Sequence, residues 1–194
     1  MARQAFKMRH AFTMIEMMVV IFLIGVIATI VIPRLSYKTP QSEWSSVLYD
    51  LNNLALFARQ EAISNHGIYR LNFKSGGNGP DTMIIEREDR DPENQNKIVY
   101  TKVTSDYLKT QYQFNPSIKI KDFYHGKKNA MTDHTVDMCC YIMYDGLVQD
   151  VLIHLTRNEK VTKKESGAES KASFKMMPFY GRFEFHDDFI KPEA

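Results

Sequence analysis

Between Met17 and Ile32 the chain carries no charged residue, and Phe12 to Ile15 extends the apolar stretch with only Thr13 polar. That is close to the roughly 20 residues a helix needs to cross a bilayer core. Arg3, Lys7 and Arg9 come before it, and Arg34 and Lys38 follow. The charge pattern places the start of the chain on the cytoplasmic side, with a modest asymmetry. One residue breaks the apolar logic. Glu16 sits near the start of the run, where a carboxylate costs about 2.5–3.5 kcal/mol unless it reaches the interface or finds a partner. Alone it reads as an acid snorkelling at a helix start. A secretory signal peptide would have a shorter core and a small-x-small site beyond it, and Ile30-Val31-Ile32-Pro33 offers none. A plain signal anchor fits the run as well.

The remaining totals narrow the class. A length of 194 residues suits one membrane helix and one compact domain. Of 25 basic residues, three lie within residues 1–11 with no acid beside them, so the rest of the chain carries 22 against 23 acids. A general nucleic-acid binder would keep a basic excess or stripe. The two cysteines, Cys139 and Cys140, are adjacent. Neighbouring Cα atoms lie ~3.8 Å apart, below the usual disulfide range of roughly 4.4–6.8 Å. Two free thiols are expected, at least one of them packed inward.

Beyond the apolar run the periodicity changes twice. Thr39 can cap a helix that starts at Pro40. Trp44, Val47, Leu48, Leu51, Leu54, Ala55, Ala58 and Ala62 then follow the i, i+3, i+4 rhythm of a helix with one buried face. Ser64 to Gly67 stops it, with Gly67 as the expected left-handed residue. Together these segments predict one long, kinked helix from about Phe12 to about Asn65, roughly 80 Å long. From Ile68 the period becomes two. Strands are expected at Tyr69–Phe73, Thr82–Glu88, Lys97–Thr104, Gln111–Phe114, Ser117–Lys121, Thr135–Tyr144, Asp150–Thr156, Ser173–Met177 and Tyr180–Phe185. Asp145-Gly146 signals a hairpin turn, and 157–170 reads as a charged loop. The fold class is α+β: a long N-terminal helix, transmembrane then amphipathic, packed on an antiparallel β-sheet domain of eight or nine strands.

The run His10-Ala11-Phe12-Thr13-Met14-Ile15-Glu16, followed by Gly25 and Pro33, closely resembles the N-terminus of type IV pilins and pseudopilins. The resemblance implies a prepilin leader, 1–11, removed by a prepilin peptidase between Ala11 and Phe12, with N-methylation of Phe12. Ala11 departs from the family's usual Gly. The same resemblance makes Glu16 the signature acid of subunit assembly, and Gly25 and Pro33 the helix-packing and kink residues. It divides the chain into leader 1–11, membrane helix 12–35, amphipathic helix 36–67 and a periplasmic β-rich domain 68–194. Physical chemistry agrees with those roles. Glu16 can pair with the Phe12 amine of a neighbouring subunit, which removes two desolvation costs together and fixes axial register. Gly25 permits close helix approach, and Pro33 removes a backbone hydrogen bond.

Leu56-Phe57-Ala58-Arg59-Gln60-Glu61-Ala62-Ile63, Tyr144-Asp145-Gly146 and Gly181-Arg182 are similar to short stretches of the GspH/FimT branch of minor pseudopilins and minor pilins. The implied protein is a minor pseudopilin of a type II secretion system, in the inner membrane with its domain in the periplasm. Its implied partners are other pseudopilins or pilins, the prepilin peptidase and an inner-membrane assembly platform. A minor type IV pilin of pilus assembly or DNA uptake is the alternative, and a membrane-anchored periplasmic binding module is another. Some DNA-uptake pilins have a G-R-x-R segment, but here Gly181-Arg182-Phe183-Glu184 puts an acid in place of the second Arg, which opposes phosphate binding. No motif for phosphate cradling, zinc hydrolysis or serine nucleophile chemistry is present. Asp133, His134 and Asp137, and separately His186, Asp187 and Asp188, are candidate metal ligands that read more simply as loop and tail residues. His154 is expected at a half-exposed sheet position. The expectation is a structural subunit without catalytic residues, metal or cofactor.

Overall fold

The structure is a computed structural model that describes residues 14–35, 40–77, 79–133, 136–157 and 170–192. The chain divides into two compact units, Met1–Thr39 and Pro40–Ala194. The first contains α1, Met14–Leu35, which runs on past Pro33. Its large apolar side chains from Met14 to Ile27 are exposed. No helix among the described residues is long and apolar enough to cross a membrane. The span expected at 12–35 begins outside the described residues. So does the join expected between the two helices, at 36–39.

The second unit opens with α2, Pro40–Ser64. Trp44, Val47, Leu51, Leu54, Ala55, Ala58 and Ala62 are all buried, and Leu48 packs beside them. This is the face that the helical spacing predicts. The three alanines add little side-chain bulk along the buried face. The helix ends in a Schellman motif, with Gly67 N donating to Ala62 O at 3.1 Å. The left-handed residue is His66, at φ 48°, and not Gly67. His is among the non-glycine residues enriched in that region, so the expected position was one residue too late.

Ten strands follow among the described residues, in two five-stranded antiparallel sheets rather than the expected one sheet of eight or nine strands. The first sheet holds β1 (Tyr69–Lys74), β2 (Thr82–Arg90), β3 (Ile98–Lys102), β4 (Gln111–Gln113) and β7 (Cys139–Ile142), ordered β3-β2-β1-β7 with β4 also on β2. The second holds β5 (Ile118–His125), β6 (Lys128–Asn129), β8 (Leu152–Arg157), β9 (Ser170–Met177) and β10 (Arg182–His186), ordered β10-β9-β8-β5-β6.

The expected hairpin at Asp145-Gly146 closes only a short antiparallel turn and does not pair β7 with β8. β7 pairs with β1, whereas β8 pairs with β5 and β9, so residues 143–151 carry the chain from one sheet to the other. The tight turn itself is present: Met143 N donates to Leu147 O at 2.8 Å, and Asp145 Oδ1 accepts from Leu147 N. After an isolated bridge from Ile142 to Val148, Gln149 N still donates to Tyr141 O at 2.8 Å. Tyr141 N goes to the Gln149 side chain and the pairing ends there, while Val148 N donates away from β7 to Pro178 O. Turn chemistry is local, but the partner of a returning strand is chosen by burial.

Aromatic contacts join the sheets. Phe73 of β1 lies 5.3 Å from Phe123 of β5 and 6.4 Å, edge-on, from Phe183 of β10, measured between ring centroids. Trp44 of α2 meets Phe174 of β9 edge-on at 6.3 Å. Asp81, with no exposed surface, adds a polar stitch. Its carboxylate accepts from Gly76 N at 2.8 Å in the β1–β2 loop and from Ile120 N at 2.7 Å in β5. Lys119 supplies the opposite charge at 3.5 Å, and its ammonium also donates to Gly77 O and Gly79 O. Buried charge is tolerated when it is paired and hydrogen-bonded. Asn52 of α2 pairs its side-chain amide with both backbone groups of Phe183, accepting from N at 2.6 Å and donating to O at 3.2 Å.

Candidate assembly site and the Arg59 clamp

Of the residues expected to carry assembly, Ala11 and Phe12 lie outside the described residues. Glu16 is exposed in the first turn of α1, where an acid is favoured by the helix dipole. Gly25 lies on the same helix, and a Cβ built there would meet nothing within 4 Å. The structure therefore places Glu16, Gly25 and Pro33 on one apolar helix.

The second set of motif residues does converge. Arg59, on α2, donates from Nε to Gly146 O at 2.8 Å and from its two terminal nitrogens to Tyr180 O and Phe179 O, each at 3.2 Å. One planar guanidinium thus ties the inter-sheet turn to the β9–β10 turn, a fork geometry that lysine cannot supply. Both turns carry a glycine for a physical reason. Gly146 has φ 83° and Gly181 has φ 63°, a region that costs other residues roughly 1–2 kcal/mol. A Cβ on Gly146 would lie 2.8 Å from Ile63 Cδ1, and one on Gly181 would lie 2.7 Å from Arg59 Cδ. Each of these segments is recognisable on its own in the sequence, whereas the contact that unites them is a product of the fold. A charged residue on the helix face beside Ala58 and Ala62 was the signal for it.

Around this clamp the large apolar side chains Ile63, Tyr144, Leu147, Phe179 and Tyr180 are exposed, beside exposed Asp145 and Arg182. Elsewhere, a groove of about 1310 Å³ lies between α2 and the loop after β3, lined by Tyr49, Asn53, Leu56, Phe57, Tyr107 and Tyr112 among others. Burial, aided by the charge of Asp50, pushes the Tyr112 hydroxyl up to about 12, so it stays neutral at physiological pH.

Both cysteines are free and buried. Cys139 Sγ lies 3.6 Å from Asn72 Oδ1, and Cys140 Sγ 3.4 Å from Gln149 O. On the same first sheet, Arg70 and Glu86 form an ion pair at 2.7 Å, with the guanidinium 3.5 Å from the centroid of the Tyr100 ring. Asn72 donates to both Glu86 oxygens, at 3.0 and 3.1 Å. This network is satisfied within the sheet and presents no open ligand position. Among the described residues no three His, Cys, Asp or Glu side chains are grouped to hold a metal. His154 corrects the expectation made for it: it is 5% exposed, not half-exposed.

Comparison with known proteins adds two findings. The family described as the prokaryotic N-terminal methylation motif matches residues 6–32. No curated protein matches the chain. In this chain a match to the N-terminal methylation motif precedes an α+β domain. The particular likeness is to the minor pseudopilin EpsH from the type 2 secretion system of Vibrio cholerae, whose structure superposes with a TM-score of 0.51. The two are 10% identical, and the match covers 77% of this chain and 99% of that one, so what they share is the fold.

Proposed function

We propose that this chain is a minor pseudopilin of a type II secretion system, a structural subunit of the pseudopilus near its tip. The observation that carries the reading is the methylation motif at 6–32 followed by a domain with a minor-pseudopilin fold. In this reading the basic leader, 1–11, stays cytoplasmic, α1 anchors the chain in the inner membrane, and the β-rich domain stands in the periplasm. A prepilin peptidase cuts between Ala11 and Phe12, and Phe12 is methylated. Glu16 then pairs with the Phe12 amine of an adjacent subunit, while Gly25 and Pro33 shape helix packing. The work done is assembly with other pseudopilins on an inner-membrane platform, and no substrate is turned over.

Intact mass of membrane-extracted protein tests the processing step: loss of Met1–Ala11 and one methyl on Phe12 are expected. Full-length chain alone, with an active prepilin peptidase present, overturns it. Crosslinking followed by mass spectrometry tests the machine. Secretion pseudopilins among the partners support this reading, and pilus subunits alone would make the chain a minor type IV pilin.

A further inference from the structure

β8 is the middle strand of the second sheet, and from Leu152 to Thr156 it is buried on both faces. Ile153 and Leu155 face the core. Leu152, His154 and Thr156 face the other way, and part of their cover is the segment after β10. Phe189 stacks flat on the His154 ring, with centroids 4.3 Å apart and planes 7° apart. Ile190 O lies 3.0 Å from His154 Nε2. Ser173, opposite His154 on β9, donates from Oγ to Asp188 O at 2.7 Å and accepts from Ile190 N at 3.1 Å. The segment 187–192 is thus a strap laid across the outer face of the sheet.

The protons of that contact can be counted. A backbone carbonyl only accepts, so Nε2 must carry a hydrogen. His154 Nδ1 lies 3.3 Å from Asp122 Oδ2, and an ionised carboxylate also only accepts. Asp122 Oδ1 is already occupied by Asn129 Nδ2 at 2.7 Å. For both His154 contacts to be hydrogen bonds, the pair must hold one proton more than a neutral imidazole and a carboxylate. Without it a nitrogen lone pair faces a carboxylate oxygen at a site 5% exposed, where unpaired polar groups are costly.

We propose that the strap 187–192 is a proton-dependent latch: it is docked while the His154–Asp122 pair holds the extra proton and is released when that proton leaves. The groups facing His154 come from four elements. β5 supplies Asp122 and Tyr124, the latter edge-on at 5.2 Å. β9 supplies Lys171, whose ammonium is 5.5 Å from the Phe189 ring centroid, and Lys175. β10 supplies Glu184 and His186 on the same face by register. The strap itself supplies Asp187, Asp188 and Lys191. Docking takes up a proton, so it is favoured at low pH and lost as pH rises. Release uncovers Leu152, His154 and Ser173, a strip of sheet that the docked strap denies to any partner.

The test uses the full-length protein in detergent micelles with a nitroxide at Lys191→Cys. Cys139 and Cys140 are buried, so the label goes to the new thiol. Spin mobility is followed from about pH 5 to about pH 9, which brackets the interval of about 5 to 8 in which an unperturbed histidine changes charge. An immobilised spectrum at the acid end that becomes several-fold more mobile at the alkaline end is expected. Asp122→Asn can donate to an unprotonated Nδ1, so its strap should stay immobilised at every pH. His154→Gln carries no titrating ring and should give a flat profile. Ring nitrogen shifts of ¹⁵N-histidine in the wild type should show two protonated nitrogens for His154 when the strap is docked, independently of how either variant folds. A wild-type spectrum that does not change with pH overturns the latch, as does a response retained by either folded variant.

Discussion

Arg59 Nε and Gly146 O are 2.8 Å apart although 87 residues separate them along the chain. That bond is part-buried, whereas those to Phe179 O and Tyr180 O are exposed and open to replacement by water. Arg59→Ala should therefore lower stability by about 1–2 kcal/mol, most of it from the Gly146 carbonyl. Gly181→Ala should cost about 1–3 kcal/mol through its positive φ and the approach to Arg59. The double variant should cost less than the sum, because Arg59→Ala removes the atom that the new Cβ would strike. Urea unfolding of a fragment spanning 36–194 measures all three.

That fragment should itself unfold cooperatively. It contains α2, both sheets and every buried side chain of the core. Within it Leu51 is 0% and Leu54 5% exposed, so Leu→Ala at either position should cost about 2–5 kcal/mol. Shifts below 1 kcal/mol at both would show that α2 does not seal the domain.

The cysteines should be nearly inert while the domain is folded. Burial pushes the Cys139 thiol up to about 11 and raises Cys140 further. A thiol-directed reagent should react with the native domain at least ~100-fold more slowly than with the denatured chain at pH 8. After denaturation two thiols should label, with no disulfide. The sign of the linkage follows from the raised value. Stability tied to Cys139 is fully present below about pH 9 and is lost as pH climbs through about 11. Unfolding midpoints measured across that interval check it.

Glu16 should matter for assembly and not for the domain. It belongs to α1 in the first unit, while the core lies in Pro40–Ala194. Glu16→Leu removes the insertion cost of a carboxylate, so membrane abundance should be unchanged or higher. Loss of its partner would leave the amine of an adjacent subunit poorly compensated, an effect worth about 3–5 kcal/mol when fully buried. Glu16→Gln should fall between the two. Crosslinking to other filament subunits at equal abundance reads the difference, and a Leu variant that assembles like wild type would end the proposed role.

What was legible in the sequence depended on how local its cause is. The buried face of α2 could be read because helical spacing directly encodes which residues share a side, and seven of the eight predicted positions are buried with Leu48 partly so. The expected pairing across that hairpin stops after a few residues because Asp145-Gly146 encodes a turn but not the strand that receives the chain, and that choice is made by packing of two sheets. His154 was misplaced for a similar reason. Its place within a strand was legible, but its cover is Phe189 and Ile190, more than 30 residues later. Family likeness identified the fragments around Arg59, Gly146 and Gly181 and left their common cause, one guanidinium, to the structure.

The pairing of Asn52 with Phe183 has a consequence for crowding. β10 is an edge strand, and an edge presents unpaired backbone groups on which another chain can add. At Phe183 both groups are already taken by a side-chain amide that mimics the peptide of an incoming strand. A second molecule trying to extend this sheet meets a filled rung near the start of the strand. Copies held side by side at high local concentration are therefore kept from zipping together through their sheets at this edge, and contacts between them are left to other surfaces.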